Sequence, residues 1–314
     1  MLDLMLRGGI AALAFTLLGL AAGAAPPAED KPPPTRANVR YGPHADNRLD
    51  FWQAEADAPT PVVLFIHGGG WNARDKSVIK AETLKALLAA GISVAAVDYR
   101  LLRTAPFPAP FLDVARAMQF VRSRAGEWGL DSRRFGAYGG SAGGCMSLWL
   151  AYHDDLADPN SEDPVARQST RLRCAAGQGA QTSVDPFTVA KWLGSFILQH
   201  PNWLRMYGVA EMADLRAPKY ERLRRDLSPI EQVGPGDPPV FLEYGGRDVP
   251  LSPKTPLPIA IHHPRFGDRL KAKTDRLELV CVLRVSGRPP SDDYRGMVDF
   301  FRRQFALPPP AAEE

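Results

Sequence analysis

Short apolar runs alternate along this chain with longer segments in which apolar residues recur every three or four positions. Runs of the first kind are typical of strands that are buried on both faces. The second spacing places side chains on one helix face, as at Phe111, Val114, Met118 and Val121. The predicted strands are 61–67, 93–98, 135–139, 171–177, 240–244 and 277–285. The predicted helices are 77–90, 110–127, 142–153, 263–273 and 292–305.

This alternation predicts an α/β fold, with a mostly parallel sheet that carries helices on both faces. Residues 184–236 interrupt it, because two helical patterns intervene there between consecutive strands. One interpretation is a helical lid insertion over a site, and the other is an insertion that only extends the core. The segment is rich in aromatic residues, namely Trp192, Phe196, Trp203, Tyr207 and Tyr220.

The two ends of the chain differ in character from the middle. Residues 1–24 place a cation before an apolar centre and end in small residues, which predicts a secretory signal peptide. An uncleaved membrane anchor is the alternative, although the apolar run is short for a span. We expect a proline-rich linker at 25–37, one domain at 38–307 and a disordered tail at 308–314. The expected location is secreted or periplasmic, without stable membrane insertion after cleavage.

Composition excludes several classes of protein. The 314 residues include 38 Lys+Arg and 35 Asp+Glu, and a formal charge of +3 is too small for a polyanion-binding surface. We therefore expect no nucleic-acid partner. Three cysteines without a CxxC pair exclude a disulfide framework and a thiolate zinc site. No motif predicts a cofactor or a metal, and Cys145, Cys174 and Cys281 are predicted to be buried apolar residues.

Two glycine-rich turns carry the candidate chemistry. A Gly-x-Ser-x-Gly motif at 139–143 follows a predicted strand and precedes a predicted helix, so a strained turn can lift the Ser141 hydroxyl above the sheet. A His-Gly-Gly-Gly-Trp motif at 67–71 ends an earlier strand, and its unobstructed N–H groups can bind an oxyanion. A phosphate-binding loop is the competing interpretation. Neither turn has the Lys-Ser/Thr of a P-loop, nor is there the second-strand acid of a dinucleotide fold.

These turns, with Asp-Tyr-Arg-Leu at 98–101 and the Asp131, Arg134 pair, resemble the α/β-hydrolase fold family. The branch is that of bacterial esterases similar to hormone-sensitive lipase and the feruloyl/acetyl-xylan esterases. The resemblance covers residues 39–305 and is specific for fold. It implies structural roles for Asp98 and Arg100.

The resemblance also implies a set of site residues. Ser141 is the implied nucleophile, and the implied oxyanion donors are the N–H groups of Gly69, Gly70 and Ala142. A carboxylate is implied in the loop after the next-to-last strand, where Asp248 lies. A turn-forming aspartate that bonds only its own loop is the alternative for that residue.

The histidine is where the sequence departs from the family. The family places it after the last strand, and no histidine follows that strand here. His262 and His263 follow Asp248 by 14 and 15 residues and keep the order Ser, Asp, His. Either can serve as the base, with His263 ahead of His262. The competing interpretation, which the missing motif favours, is that both cap a helix or belong to a loop.

Three function hypotheses follow. The first is a secreted serine hydrolase acting on small-molecule or polysaccharide-linked carboxylic esters. The second is a catalytically degenerate relative that binds a small ligand or a glycan without turnover. A peptidase of the prolyl-oligopeptidase type is a third hypothesis. The histidine separates the first two, because a serine site without it retains only about 10³ to 10⁴ of acceleration over water.

Overall fold

The computed structural model describes residues 31–246 and 248–308. The predicted signal peptide and nearly all of the predicted tail lie outside the described residues. Within the described residues the strands are β1 Arg36–Arg40, β2 Arg48–Trp52, β3 Thr60–Ile66, β4 Ser93–Val97, β5 Leu130–Gly140, β6 Cys174–Gln178, β7 Val240–Tyr244 and β8 Cys281–Val285. They form one sheet in the order β1-β2-β4-β3-β5-β6-β7-β8, which is parallel from β4 to β8.

Helices cover both faces of the sheet, as the α/β alternation predicts. The helices are α1 Ala81–Ala89, α2 Ala109–Ser123, α3 Ala142–Tyr152, α4 Pro186–Leu193, α5 Asn202–Tyr207, α6 Pro218–Asp226, α7 Pro229–Gln232, α8 Leu257–Ala260, α9 Arg265–Arg276 and α10 Met297–Gln304. Successive side chains of a strand point to opposite faces, so Val62 and Leu64 join one core with α2, α3 and α9, and Val63 joins the other with α1 and α10.

The antiparallel strands β1 and β2 are absent from the sequence prediction. Strand β1 begins at Arg36, inside the segment predicted as linker, so the folded domain starts before residue 38. Its residues are mostly exposed, and only Leu49, Phe51 and Trp52 of β2 enter the core. A half-exposed edge hairpin of this kind lacks the continuous apolar run that marks a buried strand.

The segment between β6 and β7 is helical, as predicted, and holds α4 to α7 instead of two helices. The three cysteines are buried, as predicted, and unpaired. Strand β7 separates Cys174 on β6 from Cys281 on β8. Within residues 31–246 and 248–308, no helix has both the length and the hydropathy required to cross a membrane.

Candidate active site

Ser141 occupies a strained turn between β5 and α3. Its φ of 54° and ψ of −121° lie in a backbone region that residues other than glycine rarely adopt. Its N–H donates to the Gln178 carbonyl at 2.8 Å. The flanking glycines are required, because a Cβ at Gly139 or Gly143 would lie 2.2 Å or 1.9 Å from the Ile66 carbonyl oxygen. The turn therefore packs directly against the end of β3.

The second glycine-rich turn, residues 67–71, is anchored beside the first. The Tyr99 hydroxyl donates to the His67 carbonyl at 2.9 Å. The His67 and Tyr99 rings stack with their centroids 4.2 Å apart. Burial lowers the pKa of His67, which favours its neutral form. Gly69 has a φ of 105°, and a Cβ there would lie 2.1 Å from the Ala73 carbonyl oxygen. A Cβ at Gly68 would lie only 3.5 Å from that of Ser141, so the two turns adjoin.

The N–H groups of Gly69, Gly70 and Ala142 are available at this junction. In the part of the chain that the structure describes, none of the three donates a hydrogen bond. Ala142 is the first residue of α3, where the helix dipole adds a partial positive charge. Two glycine-rich turns thus bring free donors next to the Ser141 hydroxyl, as an oxyanion site requires.

The histidine that contacts Ser141 is His262. Its Nε2 lies 2.9 Å from Ser141 Oγ, and its Nδ1 lies 2.7 Å from the Pro258 carbonyl oxygen. A carbonyl oxygen only accepts, so Nδ1 carries the proton and Nε2 of the neutral ring is the acceptor toward Ser141. The ring packs against Gly179, where a Cβ would lie 3.3 Å from His262 Cδ2.

His263, which was favoured over His262 on sequence, does not contact Ser141. Its Nε2 lies 3.0 Å from the Val249 carbonyl oxygen, and its Nδ1 accepts the Arg265 N–H at 3.1 Å. Both nitrogens of this buried ring are therefore occupied by backbone groups. The sequence prediction placed His263 ahead of His262, but His262 is the residue that faces Ser141. The turn between α8 and α9 directs the two rings apart.

Asp248 lies with His263 and not with His262. One of its carboxylate oxygens is 3.5 Å from His263 Nε2, and the other accepts from Arg288 Nη2 at 2.7 Å. Arg288 also bonds Asp268, and these carboxylates raise the pKa of the guanidinium. The structure therefore does not join Asp248 to the pair of Ser141 and His262. The Pro258 carbonyl stands where the orienting carboxylate was expected.

Asp98 and Arg100 hold the scaffold around the site. Asp98 accepts from the Lys76 N–H at 2.6 Å and from Lys76 Nζ at 3.2 Å, and burial raises the pKa of its carboxyl group. Arg100 forms a bidentate pair with Asp113, at 2.8 Å and 2.7 Å. Neither side chain contacts Ser141 or His262, which agrees with the structural roles that the resemblance implies.

Two cavities adjoin Ser141, and it lines both of them. The inner cavity is about 50 Å³ and is bounded by Trp71 and by residues of the helical insertion, among them Trp203 and Met206. Of the five aromatic residues singled out in the insertion, Trp203 lines this cavity. The outer cavity is about 430 Å³ and is bounded by residues 68–70 and by His262.

The Pro258 carbonyl could not be found from sequence, because it is a backbone group and carries no residue signature. Its position depends on α8, a helix of four residues that was not predicted. No cluster of three or more His, Cys, Asp or Glu suited to a metal occurs among residues 31–246 and 248–308.

A parallel sheet with a serine on a strand-to-helix turn, an adjacent histidine and free N–H donors defines an α/β-hydrolase. Within that fold class the chain belongs to the BD-FAE family, whose model matches residues 49–255. Among curated proteins, it is similar to Esterase LipC of Mycobacterium tuberculosis (strain ATCC 25618 / H37Rv), with 28% identity over 68% of this chain and 51% of LipC. It is 25% identical to the probable carboxylic ester hydrolase LipM of the same strain, over 67% of this chain and 47% of LipM. The chain thus spans about half the length of these curated relatives.

Solved structures share the fold. A truncated carbohydrate esterase from gut microbiota aligns with a TM-score of 0.68 and 19% identity, over 89% of this chain and 99% of that one. An acetyl ester-xyloside bifunctional hydrolase from Caldicellulosiruptor lactoaceticus aligns with a TM-score of 0.60 and 22% identity, over 77% and 78% of the two chains.

Proposed function

We propose that this protein is a serine hydrolase of carboxylic esters, in which Ser141 is the nucleophile and His262 the general base. The observation that carries the proposal is the 2.9 Å contact between His262 Nε2 and Ser141 Oγ. The degenerate-relative hypothesis requires that no imidazole reach Ser141, so the same contact argues against it. Family membership and the esterase names of similar proteins support the same activity.

The proposed reaction has two steps. Ser141 Oγ attacks the ester carbonyl carbon while His262 Nε2 takes the hydroxyl proton, and the N–H groups of Gly69, Gly70 and Ala142 bind the oxyanion. His262 then gives the proton to the departing alcohol, which leaves the acyl group on Ser141. Water, deprotonated by His262, then attacks the acyl carbon, and His262 returns the proton to Ser141 Oγ as the acyl–serine bond breaks and the acid leaves. The bond from Nδ1–H to the Pro258 carbonyl holds the ring in the tautomer that this exchange needs.

The cavities divide the substrate between them. The departing alcohol must receive its proton from His262, which lines the outer cavity and not the inner one. The alcohol part therefore occupies the outer cavity and the acyl part the inner cavity. At about 50 Å³ the inner cavity holds only a few water-sized groups, which favours a short acyl chain. This size supports acetyl-type esters, free or attached to a polysaccharide.

Labelling with a fluorophosphonate tests the activity directly. The intact chain is expected to be labelled and to hydrolyse 4-nitrophenyl acetate faster than longer acyl esters. Ser141→Ala is expected to abolish both signals, whereas Ser147→Ala, in the helix α3 that follows the Ser141 turn, is the matched control that keeps them. The absence of labelling that depends on Ser141 would overturn the esterase proposal.

We further propose that the protein is exported through its first 24 residues, which have the charge and apolar pattern of a signal peptide. Mass determination of the mature N-terminus tests this. Cleavage after the small-residue triplet at 22–24 is expected, and recovery of an uncleaved chain from a membrane fraction would contradict it.

A further inference from the structure

The inner and outer cavities differ in charge. No Asp, Glu, Lys or Arg among the described residues lines the inner cavity. The outer cavity is lined by Arg74 and Lys80, and no Asp or Glu is among its described lining residues. We propose that Arg74 and Lys80 form a subsite for a carboxylate on the alcohol part of the ester. This inference rests on the proposed function, since it concerns the group that His262 releases.

Neither Arg74 nor Lys80 is paired with a carboxylate among the described residues. Within the described residues, neither side chain makes a hydrogen bond or an ion pair, and both are exposed at the cavity. An unpaired cation beside a cleft attracts anions more effectively than one already neutralised by a neighbouring carboxylate. The pair therefore differs from Lys76, which lies between them in sequence and is bound by Asp98 at 3.2 Å.

Two carboxylates close to these cations are hydrogen-bonded to other groups: Asp75 follows Arg74 in sequence, and Glu243 lines a neighbouring cavity together with Lys80. Asp75 accepts the Ser77 N–H at 2.8 Å, and hydrogen bonding to Ser77 lowers the pKa of Asp75. Glu243 accepts from Gln178 Nε2 at 3.1 Å and does not line the outer cavity. The positive charge at the cavity is thus left for a ligand to neutralise.

The backbone at Arg74 supports a role beyond the surface. Its φ is 73°, in the left-handed region where residues other than Gly, Asn and Asp are uncommon. Arg74 packs beside the glycine-rich turn at residues 67–71, because a Cβ at Gly69 would lie 3.3 Å from Arg74 Cγ. Backbone strain of this kind gathers at binding and catalytic sites. Arg74 thus leaves this turn into the lining of the cavity that Ser141 and His262 also line.

A carboxylate is the group that this subsite fits best. A guanidinium binds carboxylates in bidentate geometry, and Lys80 adds a second positive charge to the lining of the same cavity. Neutral alcohols gain nothing from either cation. The expected substrates are therefore short-chain acyl esters of alcohols that bear a carboxylate, such as acid sugars or hydroxybenzoates.

A pair of matched esters tests the subsite. The 3- and 4-acetoxybenzoates carry the carboxylate, and their methyl esters are the neutral counterparts. The readout is the ratio of kcat/KM for the anionic ester to that for the neutral one. Arg74→Asn, which tolerates the positive φ, and Lys80→Gln are each expected to lower this ratio about threefold, and the double variant about tenfold. Raising the salt to about 0.5 M is expected to lower the wild-type ratio toward that of the double variant.

Arg103→Gln is the control, since Arg103 is exposed and lines neither cavity. The same charge is removed there, and the ratio is expected to stay at the wild-type value. A double variant with the wild-type ratio would overturn the subsite while leaving the proposed esterase intact. Hydrolysis of neither ester by the wild type would remove the proposed function, and this inference with it.

Discussion

Two adjacent histidines have opposite surroundings in this protein. His262 holds its proton on Nδ1 against the Pro258 carbonyl and presents a bare Nε2 to Ser141 at 2.9 Å. His263 accepts at Nδ1 from the Arg265 N–H, so its proton lies on Nε2, toward Val249 and Asp248. The histidine near the acid is thus not the one near the nucleophile. His262 therefore has the surroundings that the proposed base needs, whereas the surroundings of His263 are those of a residue that stabilises the fold.

The largest expected effect comes from His262→Phe. The change keeps a ring of similar shape but removes the base, so kcat for 4-nitrophenyl acetate is expected to fall by about 10⁶. The melting temperature is expected to stay near that of the wild type, because the ring is only partly buried. Retention of more than about a hundredth of the wild-type kcat would assign the base to another residue.

His263→Phe is the matched variant one position later, and its main effect is expected on stability. The Arg265 N–H and the Val249 carbonyl would lose their hydrogen-bond partner, the buried His263 ring. A loss of about 3 kcal/mol in the free energy of unfolding is expected, measured by urea denaturation. The kcat of the folded enzyme is expected to stay within about tenfold of the wild type, since this ring does not contact Ser141. A loss of kcat as large as that of His262→Phe, at wild-type stability, would reverse the comparison.

Asp248→Asn tests whether the acid serves His262. Replacing the acid of a serine triad lowers kcat by about 10⁴, because the histidine then takes the wrong tautomer. Here the Pro258 carbonyl holds the Nδ1–H of His262, so a loss of less than about tenfold is expected. Asp268→Asn, the other carboxylate partner of Arg288, is the control for lost charge. A thousandfold loss confined to Asp248→Asn would show that Asp248 reaches His262 during turnover.

Much of the fold could be predicted from sequence because buried parallel strands leave uninterrupted apolar runs. Strand β7 lies at the predicted residues 240–244, β3 is displaced from its predicted residues by one position at each end, and β4 ends one residue earlier than predicted. The edge strands β1 and β2 escaped prediction because their residues are only partly buried. Local patterning therefore identifies the centre of the sheet better than its margin.

The residues of the site also fall into those that could be predicted from sequence and one that could not. Ser141 and the glycines of residues 67–71 could be singled out because a strained turn and a close backbone approach demand particular residue types. The histidine could not be assigned, because His262 and His263 share the same local sequence. Their difference arises from the four-residue helix α8, which aims one ring at Ser141 and brings the Pro258 carbonyl behind it. A backbone acceptor leaves no trace in residue identity.

The smallest expected effect concerns the charges beside His263. A double-mutant cycle with Arg288→Gln and Asp268→Asn measures the coupling of this pair, whose atoms approach to 2.6 Å while both side chains stay over a third exposed. Solvent screening limits such a pair to about 0.5 kcal/mol of unfolding free energy, and added salt is expected to reduce it further. Because the cluster of Arg288, Asp268 and Asp248 lies apart from the bond between His262 and Ser141, the coupling is expected in stability and not in kcat. A coupling that appeared in kcat at unchanged stability would connect the two neighbourhoods, and the roles of the adjacent histidines would then no longer be separable.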